Sequence, residues 1–350
     1  MKKRFTALLL CFAVLLSMTL TGCGNSAPVD AAVSNTSAAA PAKAEPTVWK
    51  YSITTGEGST WYKAATWFKD ELEKRSDGRY TIEIYPNEQL SNGNMTTSVE
   101  MNINGSIDIL MLSTFIYTQF DDVYNIVNTP FLFPTYDDLY RKLYDNGGAD
   151  ILTKAGEDLG IHPISVTAGP YRGWSGNKGF YRTPADFDNI RFRTCGINLH
   201  VKWFTQLGAD PIAMNFSEVF TSLQNGTLDA CEGIYDTYIS GSLSEVQKYY
   251  TESNYNPDVA LVSFSDKVWS TLSPEDQALV TQLGKDFQEY FFQLAQSEEN
   301  TRREEVANAM QLYKLTDEEK QVFIDASKDI YIEYKPLYSE EALKAFEYPY

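Results

Sequence analysis

Residues 189–235 contain the apolar periodicities of both strands and helices; they read NIRFRTCGINLHVKWFTQLGADPIAMNFSEVFTSLQNGTLDACEGIY. Apolar residues alternate with Arg191 and Arg193 at its start, which predicts a strand. Two amphipathic helices follow, with Asn198 and Ser217 as their predicted N-caps, and a short apolar run then returns as a second strand. Ligands of parallel α/β sheets bind outside the carboxyl ends of the strands, so Arg193 is expected at the edge of a crevice.

The same residues resemble the substrate-binding proteins of TRAP transporters. That family carries an arginine-containing strand, then L-G-A-x-P, then F-S-E-V-(Y/F)-x-x-L-Q-x-G-x-x-D-x-x-E. In this chain the three parts are Arg191–Arg193, Leu207–Pro211 and Phe216–Glu232. Many positions match at fixed spacing, and weaker similarity extends over nearly the whole mature protein.

The resemblance implies a two-lobe, periplasmic-binding-protein-like α/β fold with mixed sheets and helices on both faces. About 300 residues beyond the leader suit two lobes better than one small core. We expect lobe one at 48–169 plus 258–298 and lobe two at 170–257 plus 299–350. A long helix from Pro274 to about Ala309 is expected to span both lobes.

The resemblance also implies the ligand site. Arg193 would bind a ligand carboxylate, because guanidinium forms a planar bidentate pair that lysine cannot reproduce. Arg172 resembles the family's second carboxylate-contacting arginine, and Phe216 its aromatic wall. The alternatives are an exposed strand arginine, a surface loop arginine and a core phenylalanine, respectively. The weaker candidates for ligand contact are Trp174, Tyr235, Gly233, Asn92 and Ser113.

Three of these positions depart from the members that bind sialic acid. Gly233 stands where those members carry asparagine, and the positions facing Asn92 and Ser113 carry acids in them. The differences argue against sialic acid as the ligand. Sugar acids, hydroxy or keto acids and dicarboxylates all remain open.

The N-terminus predicts a lipoprotein signal peptide over residues 1–22. A basic start precedes the apolar run from Leu8 to Leu16, which is too short to span a bilayer. The small residues before Cys23 resemble a lipobox, which implies a diacylglycerol on this thiol; an ordinary signal peptide with a chance cysteine is the alternative. Residues 23–47 would be the lipid anchor and a flexible tether rich in Ala, Ser and Pro. The expected location is extracytoplasmic, anchored to the cell membrane.

Charge and motif content exclude two classes of function. Loss of the three leader cations would move the net charge from −18 to −21, and no basic stripe is available for nucleic acid. Neither His162 nor His200 has other ligands at metal-binding spacing, and no nucleophile, phosphate or dinucleotide motif is present. We therefore expect neither an enzyme nor a metal or other cofactor.

The expected function is capture of a small organic acid and its delivery to a TRAP permease with a small and a large membrane subunit. The resemblance implies that an ion gradient drives this transport, and we expect the receptor to be a monomer. A binding lipoprotein of an ATP-driven (ABC) importer and a receptor for a sensor kinase are the alternatives. Cys195 and Cys231 would be the two thiols left after acylation, either bridged or both free.

Overall fold

A computed structural model of the chain describes residues 45–349. The predicted signal peptide, Cys23 and nearly all of the predicted tether lie outside the described residues. The strands are β1 (Thr47–Ile53), β2 (Tyr80–Tyr85), β3 (Ile109–Ser113), β4 (Ile161–Tyr171), β5 (Gly173–Gly176), β6 (Arg191–Thr194), β7 (Asp210–Ala213), β8 (Ala230–Gly233), β9 (Tyr249–Glu252), β10 (Pro257–Ser265) and β11 (Gln311–Lys314). The helices are α1 (Thr60–Arg75), α2 (Met95–Asn104), α3 (Thr114–Tyr117), α4 (Tyr136–Tyr140), α5 (Gly148–Asp158), α6 (Asn198–Gln206), α7 (Phe216–Gln224), α8 (Tyr235–Ser240), α9 (Asp266–Trp269), α10 (Pro274–Ala307), α11 (Asp317–Ala326), α12 (Lys328–Tyr334) and α13 (Glu340–Ala345).

The strands form two mixed sheets. The first has the order β2-β1-β3-β10-β4, and the second has the order β11-β9-β5-β8-β6-β7. In the first sheet β1 is parallel to β2 and β3, whereas β10 is antiparallel to β3 and β4. In the second sheet β5 is antiparallel to β8 and β9, and the other pairs are parallel. Helices flank both sheets, so the predicted fold class is confirmed.

The chain crosses between the sheets at two adjacent points. β4 ends at Tyr171 and β5 begins at Gly173, so Arg172 lies in the first crossing. The return crossing runs from Glu252, at the end of β9, to Pro257, at the start of β10. Pro257 pairs with Tyr171, which holds the two crossings side by side. Because the crossings run in opposite directions, β10 is antiparallel to β4 and β5 is antiparallel to β9.

The buried core is continuous across these crossings. One apolar cluster packs α1 and α10 on the first sheet, and another packs α7 and α8 on the second. The largest cluster contains residues of both sheets, such as Leu112 and Phe192, together with Tyr255 of the return crossing. The Tyr255 ring stacks on Trp203 with centroids 5.2 Å apart. Aromatic packing therefore fixes the base from which both sheets project.

Helix α10 links the two halves. Ser273 caps it through the backbone N–H of Asp276, with Pro274 in the first turn. Its 34 residues span about 50 Å. Phe287 packs in the cluster on the first sheet and Val306 in the cluster on the second. The predicted long helix is thus confirmed. Across residues 45–349, no helix is both long and apolar enough to cross a bilayer.

Both predicted helix caps in the central stretch are wrong by one or two residues. Asn198 is the first residue of α6, and Ile197 takes the N-cap position without a side-chain hydrogen bond. In the same way Asn215 takes the N-cap position of α7. The Ser217 hydroxyl instead donates to the carbonyl oxygen of Gly93, 3.2 Å away on the side of the first sheet. A contact between the lobes has therefore displaced a local capping bond.

Candidate functional site

A cavity lies between the two sheets, beside the crossings. Four charged side chains line it, namely Arg172, Arg193, Glu232 and Asp258. Each of these residues is more than nine-tenths buried, and the walls leave about 40 Å³ of free space. The two lobes are thus closed around the charged groups.

An open groove of about 990 Å³ adjoins this cavity. Met95, Ile116 and Cys195 line both spaces. The groove therefore provides a route from solvent to the charged groups.

Arg172 is held by two carboxylates. Its Nη1 donates to Glu232 Oε2 at 2.5 Å, and its Nη2 donates to Asp258 Oδ1 at 3.0 Å. The guanidinium also lies over the Phe115 ring, 4.1 Å from the centroid. These partners come together because Arg172 and Asp258 lie at the two crossings, while Glu232 is opposite Trp174 in the neighbouring strand. The charge of Arg172 is thus fully balanced inside the protein.

Glu232 is the acceptor shared by the polar groups of the site. Besides Arg172, it accepts from Cys195 Sγ at 3.1 Å and from the Tyr255 hydroxyl at 3.4 Å. Burial acts to raise the pKa of Glu232, but the charges of Arg172 and Arg193 outweigh it and lower the pKa to about 2. Glu232 is therefore a stable anion at neutral pH.

Arg193 has weaker anionic contacts than Arg172. Its Nε and Nη2 donate to the Met214 carbonyl oxygen at 3.1 and 2.8 Å, which fixes the side chain without neutralising it. Its Nη1 lies 3.2 Å from Cys195 Sγ and 3.4 Å from Glu232 Oε1. Arg193 therefore shares one carboxylate with Arg172, whereas Arg172 has two.

The structure brings four of the eight predicted ligand-contact residues to the cavity wall. They are Arg193, Arg172, Phe216 and Ser113. Ser113 donates to Asp258 Oδ1 at 2.8 Å, so it reaches the same carboxylate as Arg172. Phe216 is the first residue of α7, which packs on the second sheet, and it forms part of the cavity wall.

The other four residues lie away from this cavity. Trp174 is fully buried in the core, where its ring packs 4.9 Å from Phe323 and 5.2 Å from Phe187, so it does not line this cavity. Tyr235, Gly233 and Asn92 also lie away from the cavity wall. The Tyr235 hydroxyl donates to Glu252, and Gly233 packs against Thr237. Asn92 is exposed.

Cys195 and Cys231 are both free thiols. The β6–β8 register pairs Cys231 with Arg193, two residues before Cys195, so the two thiols are not opposite each other. Cys231 Sγ lies 3.3 Å from Ser175 Oγ. Burial raises the pKa of the Cys195 thiol to about 12, so it remains protonated and can donate to Glu232. Of the two alternatives, the structure has the free thiols.

Both histidines contact other groups of the protein, one by ring stacking and the other by a backbone hydrogen bond. His162 stacks on Trp269 with centroids 3.7 Å apart. His200 is fully buried with Nε2 2.9 Å from the Asn128 carbonyl oxygen, and burial lowers its pKa to about 4. It is therefore neutral at physiological pH and is held by the backbone.

Glu232, Asp258 and Trp61 are among the cavity-wall residues that were not predicted as ligand contacts. Glu232 ends the matched motif, and an acid within a buried strand requires a cation partner. Asp258 offers the same signal at the start of the apolar strand β10. Trp61 carries no comparable signal, because a tryptophan in an amphipathic helix is usually a core residue.

Polar contacts between the lobes surround the cavity. Asp236, in the first turn of α8, accepts from the backbone N–H of Thr60 at the start of α1, at 2.9 Å. Arg302 of α10, which forms an ion pair with Asp236 at 3.1 Å, donates to the Gly58 carbonyl oxygen of the other lobe at 2.7 Å. With the hydrogen bond between Ser217 and Gly93, these contacts stabilise the closed arrangement.

Comparison with known proteins places this architecture among solute receptors. The chain matches the family described as bacterial extracellular solute-binding protein, family 7, over residues 51–336. The 2,3-diketo-L-gulonate-binding periplasmic protein of Escherichia coli is 27% identical over 284 residues, which are 81% of this chain and 79% of that protein. The C4-dicarboxylate-binding protein of Bacillus subtilis is 23% identical over 299 residues, 85% of each chain.

A solved structure gives the same result. The chain aligns with a TRAP periplasmic solute-binding protein from Bradyrhizobium, in complex with α/β-D-galacturonate, at a TM-score of 0.79 and 25% identity. The alignment covers 86% of this chain and 98% of that one.

Proposed function

The chain belongs to family 7 of the bacterial extracellular solute-binding proteins, and we propose that its cavity holds the carboxylate of a small organic acid against Arg193. The relatives named above bind a diketo sugar acid and C4-dicarboxylates, and the solved neighbour holds a sugar acid. The group common to these ligands is the carboxylate.

The unequal pairing of the two arginines carries this proposal. Arg172 already has two buried carboxylates, Glu232 and Asp258. Arg193 has one carboxylate at 3.4 Å and a neutral carbonyl partner. A buried cation gains most from an anion when its own charge is least balanced. Arg193 would therefore bind the ligand directly, and Arg172 would fix the anion Glu232 next to it.

We further propose the steps on either side of binding. The receptor would be held at the outer face of the cell membrane by lipid on Cys23, with residues 24–47 as its tether. It would close on the acid and release it to a TRAP permease of one small and one large membrane subunit.

Substitution of Arg193 tests the ligand role. Truncating one partner of a desolvated charge pair costs about 2–5 kcal/mol, and 2 kcal/mol corresponds to roughly 30-fold in affinity. We therefore expect Arg193→Ala to bind the acid identified by a thermal-shift screen at least about 30-fold more weakly in calorimetric titration. Arg193→Lys should also be impaired, because it keeps the charge and loses the planar fork.

Arg191→Ala is the matched control. Arg191 is on the same strand, but its side chain is 43% exposed and pairs with Asp229 instead of facing the cavity. Its loss should leave affinity within twofold. A tenfold or smaller loss for Arg193→Ala, in a variant with an unchanged circular dichroism spectrum, would place the ligand elsewhere.

The anchor is tested separately. Cys23→Ala should abolish lipid-dependent processing, so that the protein leaves the detergent phase in Triton X-114 partitioning. Persistence of the variant in the detergent phase would contradict acylation of Cys23 without affecting the assignment of the cavity.

A further inference from the structure

We infer that the cavity selects a hydroxylated monocarboxylate over a dicarboxylate, and that Trp61 and Asp258 contact the ligand hydroxyl. The inference rests on the proposed function, since it takes Arg193 as the partner of the ligand carboxylate. It concerns the opposite wall of the same cavity, which the first sheet and α1 provide.

The first argument is the balance of charge. Two guanidinium groups and two carboxylates line the cavity, and no lysine is among the described residues of its wall. Both carboxylates bind Arg172, whereas Arg193 has only Glu232, at 3.4 Å, so Arg193 is the less neutralised cation and the partner for one ligand carboxylate. A second ligand carboxylate would be desolvated beside Asp258 or Glu232 without a cation of its own, which is strongly unfavourable.

The second argument is an unused donor. Trp61 lines the cavity and is 2% exposed. Its indole Nε1 is buried and has no hydrogen-bond partner within residues 45–349. A buried N–H without an acceptor is costly, and an oxygen of a ligand in the cavity would supply the acceptor.

The third argument is an acceptor on the same wall. Asp258 is 4% exposed and lines the cavity. Its hydrogen bonds to Ser113 and Arg172 both use Oδ1, and no hydrogen bond within the described part of the chain uses Oδ2. A carboxylate oxygen accepts but cannot donate, so the matching ligand group must be a donor.

A hydroxyl group satisfies both requirements. It accepts from Trp61 and donates to Asp258, whereas a keto oxygen can only accept and a carboxylate would be repelled by Asp258. Sites that hydrogen-bond a substrate hydroxyl discriminate strongly against analogues that lack it. The geometry thus favours a hydroxy acid held by its carboxylate on Arg193 and by its hydroxyl on the other wall.

Two matched ligand series test this selection by calorimetry on the mature protein. The four-carbon series is butyrate, 3-hydroxybutyrate and succinate; the six-carbon series is hexanoate, gluconate and glucarate. In the series that fits the cavity, we expect the hydroxylated monocarboxylate to bind at least tenfold more tightly than both other members. Trp61→Phe, which removes the indole N–H, should lower the affinity for the hydroxylated ligand at least tenfold. The affinity for the unsubstituted monocarboxylate should stay within twofold.

Trp67→Phe is the control for the tryptophan substitution. Trp67 is on the same helix, but it stacks on Tyr290 at 4.4 Å, away from the cavity, and its replacement should change no affinity. Asp258→Asn should raise the affinity for the dicarboxylate, relative to that for the hydroxylated monocarboxylate, at least tenfold, because the substitution removes a facing negative charge and frees Arg172 from one of its two carboxylates.

The possible outcomes distinguish failure of this inference from failure of the proposed function. A dicarboxylate that binds the unmodified protein as tightly as its hydroxylated partner would overturn the inference and leave carboxylate binding intact. Equal affinities of the Trp61→Phe variant and the unmodified protein for the hydroxylated ligand would do the same. Failure of all six acids to bind the folded protein would overturn the proposed function together with the inference.

Discussion

Replacement of Arg172 by methionine should destabilise the fold by about 3–5 kcal/mol, the usual cost of removing one partner of a buried ion pair. Methionine keeps an apolar stem near Phe115 and removes the guanidinium. Glu232 and Asp258, whose side chains are 0% and 4% exposed, would then share only Arg193, which is 3.4 Å from Glu232. The lost cation–π contact adds to the same effect.

Urea unfolding measured from pH 4 to pH 8 checks this prediction. Without Arg172, whose charge is the largest opposing effect, burial would raise the pKa of the Glu232 carboxyl above the value of about 4 that it has in the unfolded chain. Both states are protonated at low pH, so the deficit should be smallest there and should grow as the pH rises through the folded-state pKa value.

Arg182→Ala is the control for the Arg172 substitution. Arg182 pairs with Glu319 while 54% of its side chain is exposed, so its removal should cost less than about 1 kcal/mol. A deficit below 1 kcal/mol for Arg172→Met, or one that does not change with pH, would refute the view that this arginine neutralises two buried acids.

Three further predictions concern groups outside the arginine pair. Burial raises the pKa of Glu88 from 4.5 to about 7, so ionisation of this residue lowers the free energy of unfolding as the pH rises from 4.5 to 7. Glu88→Gln should remove this pH-dependent loss of stability. In urea unfolding at pH 8 the variant should be more stable by up to about 3 kcal/mol. A Cβ at Gly93 would lie 2.7 Å from a side-chain oxygen of α7, whereas one at Gly58, also at positive φ, would meet nothing within 4 Å. Gly93→Ala should therefore weaken ligand binding about tenfold more than Gly58→Ala by calorimetry, since only the former obstructs closure; equal losses would contradict this. Thiol titration of the mature, unreduced protein in denaturant should find both Cys195 and Cys231 free, and a count of zero would contradict the strand register.

Much of the fold could be predicted because its signals are local. The strand predicted around Arg191 and Arg193 is β6, and α10 begins at the predicted Pro274. The N-cap of α7 could not be predicted, because the Ser217 hydroxyl is held by Gly93 of the other lobe. Competition from a residue more than a hundred positions away has no local signature.

The predicted residues that line the cavity come from family positions along the chain. Arg193 and Phe216 lie within the matched motif, and Arg172 and Ser113 lie at other family positions. Asp258 and Trp61 reach the cavity because the return crossing and the first helix bring them there, and spacing along the chain does not encode that contact. Trp174, two residues after Arg172, packs in the core instead of lining the cavity, and its place among the aromatic rings of the core is likewise not encoded by spacing along the chain.

The arrangement explains how a strongly acidic protein can bind an acid and use it to close. Arg172 lies in the first crossing, Asp258 directly follows the return crossing, and Arg172 pairs with both Asp258 and Glu232. Arg193 projects from the second sheet, and Trp61 projects from α1, beside the first sheet. A ligand can therefore contact Arg193 and Trp61 at the same time only when the lobes are closed. A ligand shifts a conformational equilibrium only by its difference in affinity for the two states. A ligand bound by Arg193 alone would bind the open and closed forms about equally, whereas a ligand that also contacts Trp61 favours the closed one. Trp61, which contacts the ligand hydroxyl, is therefore also the residue through which binding drives closure.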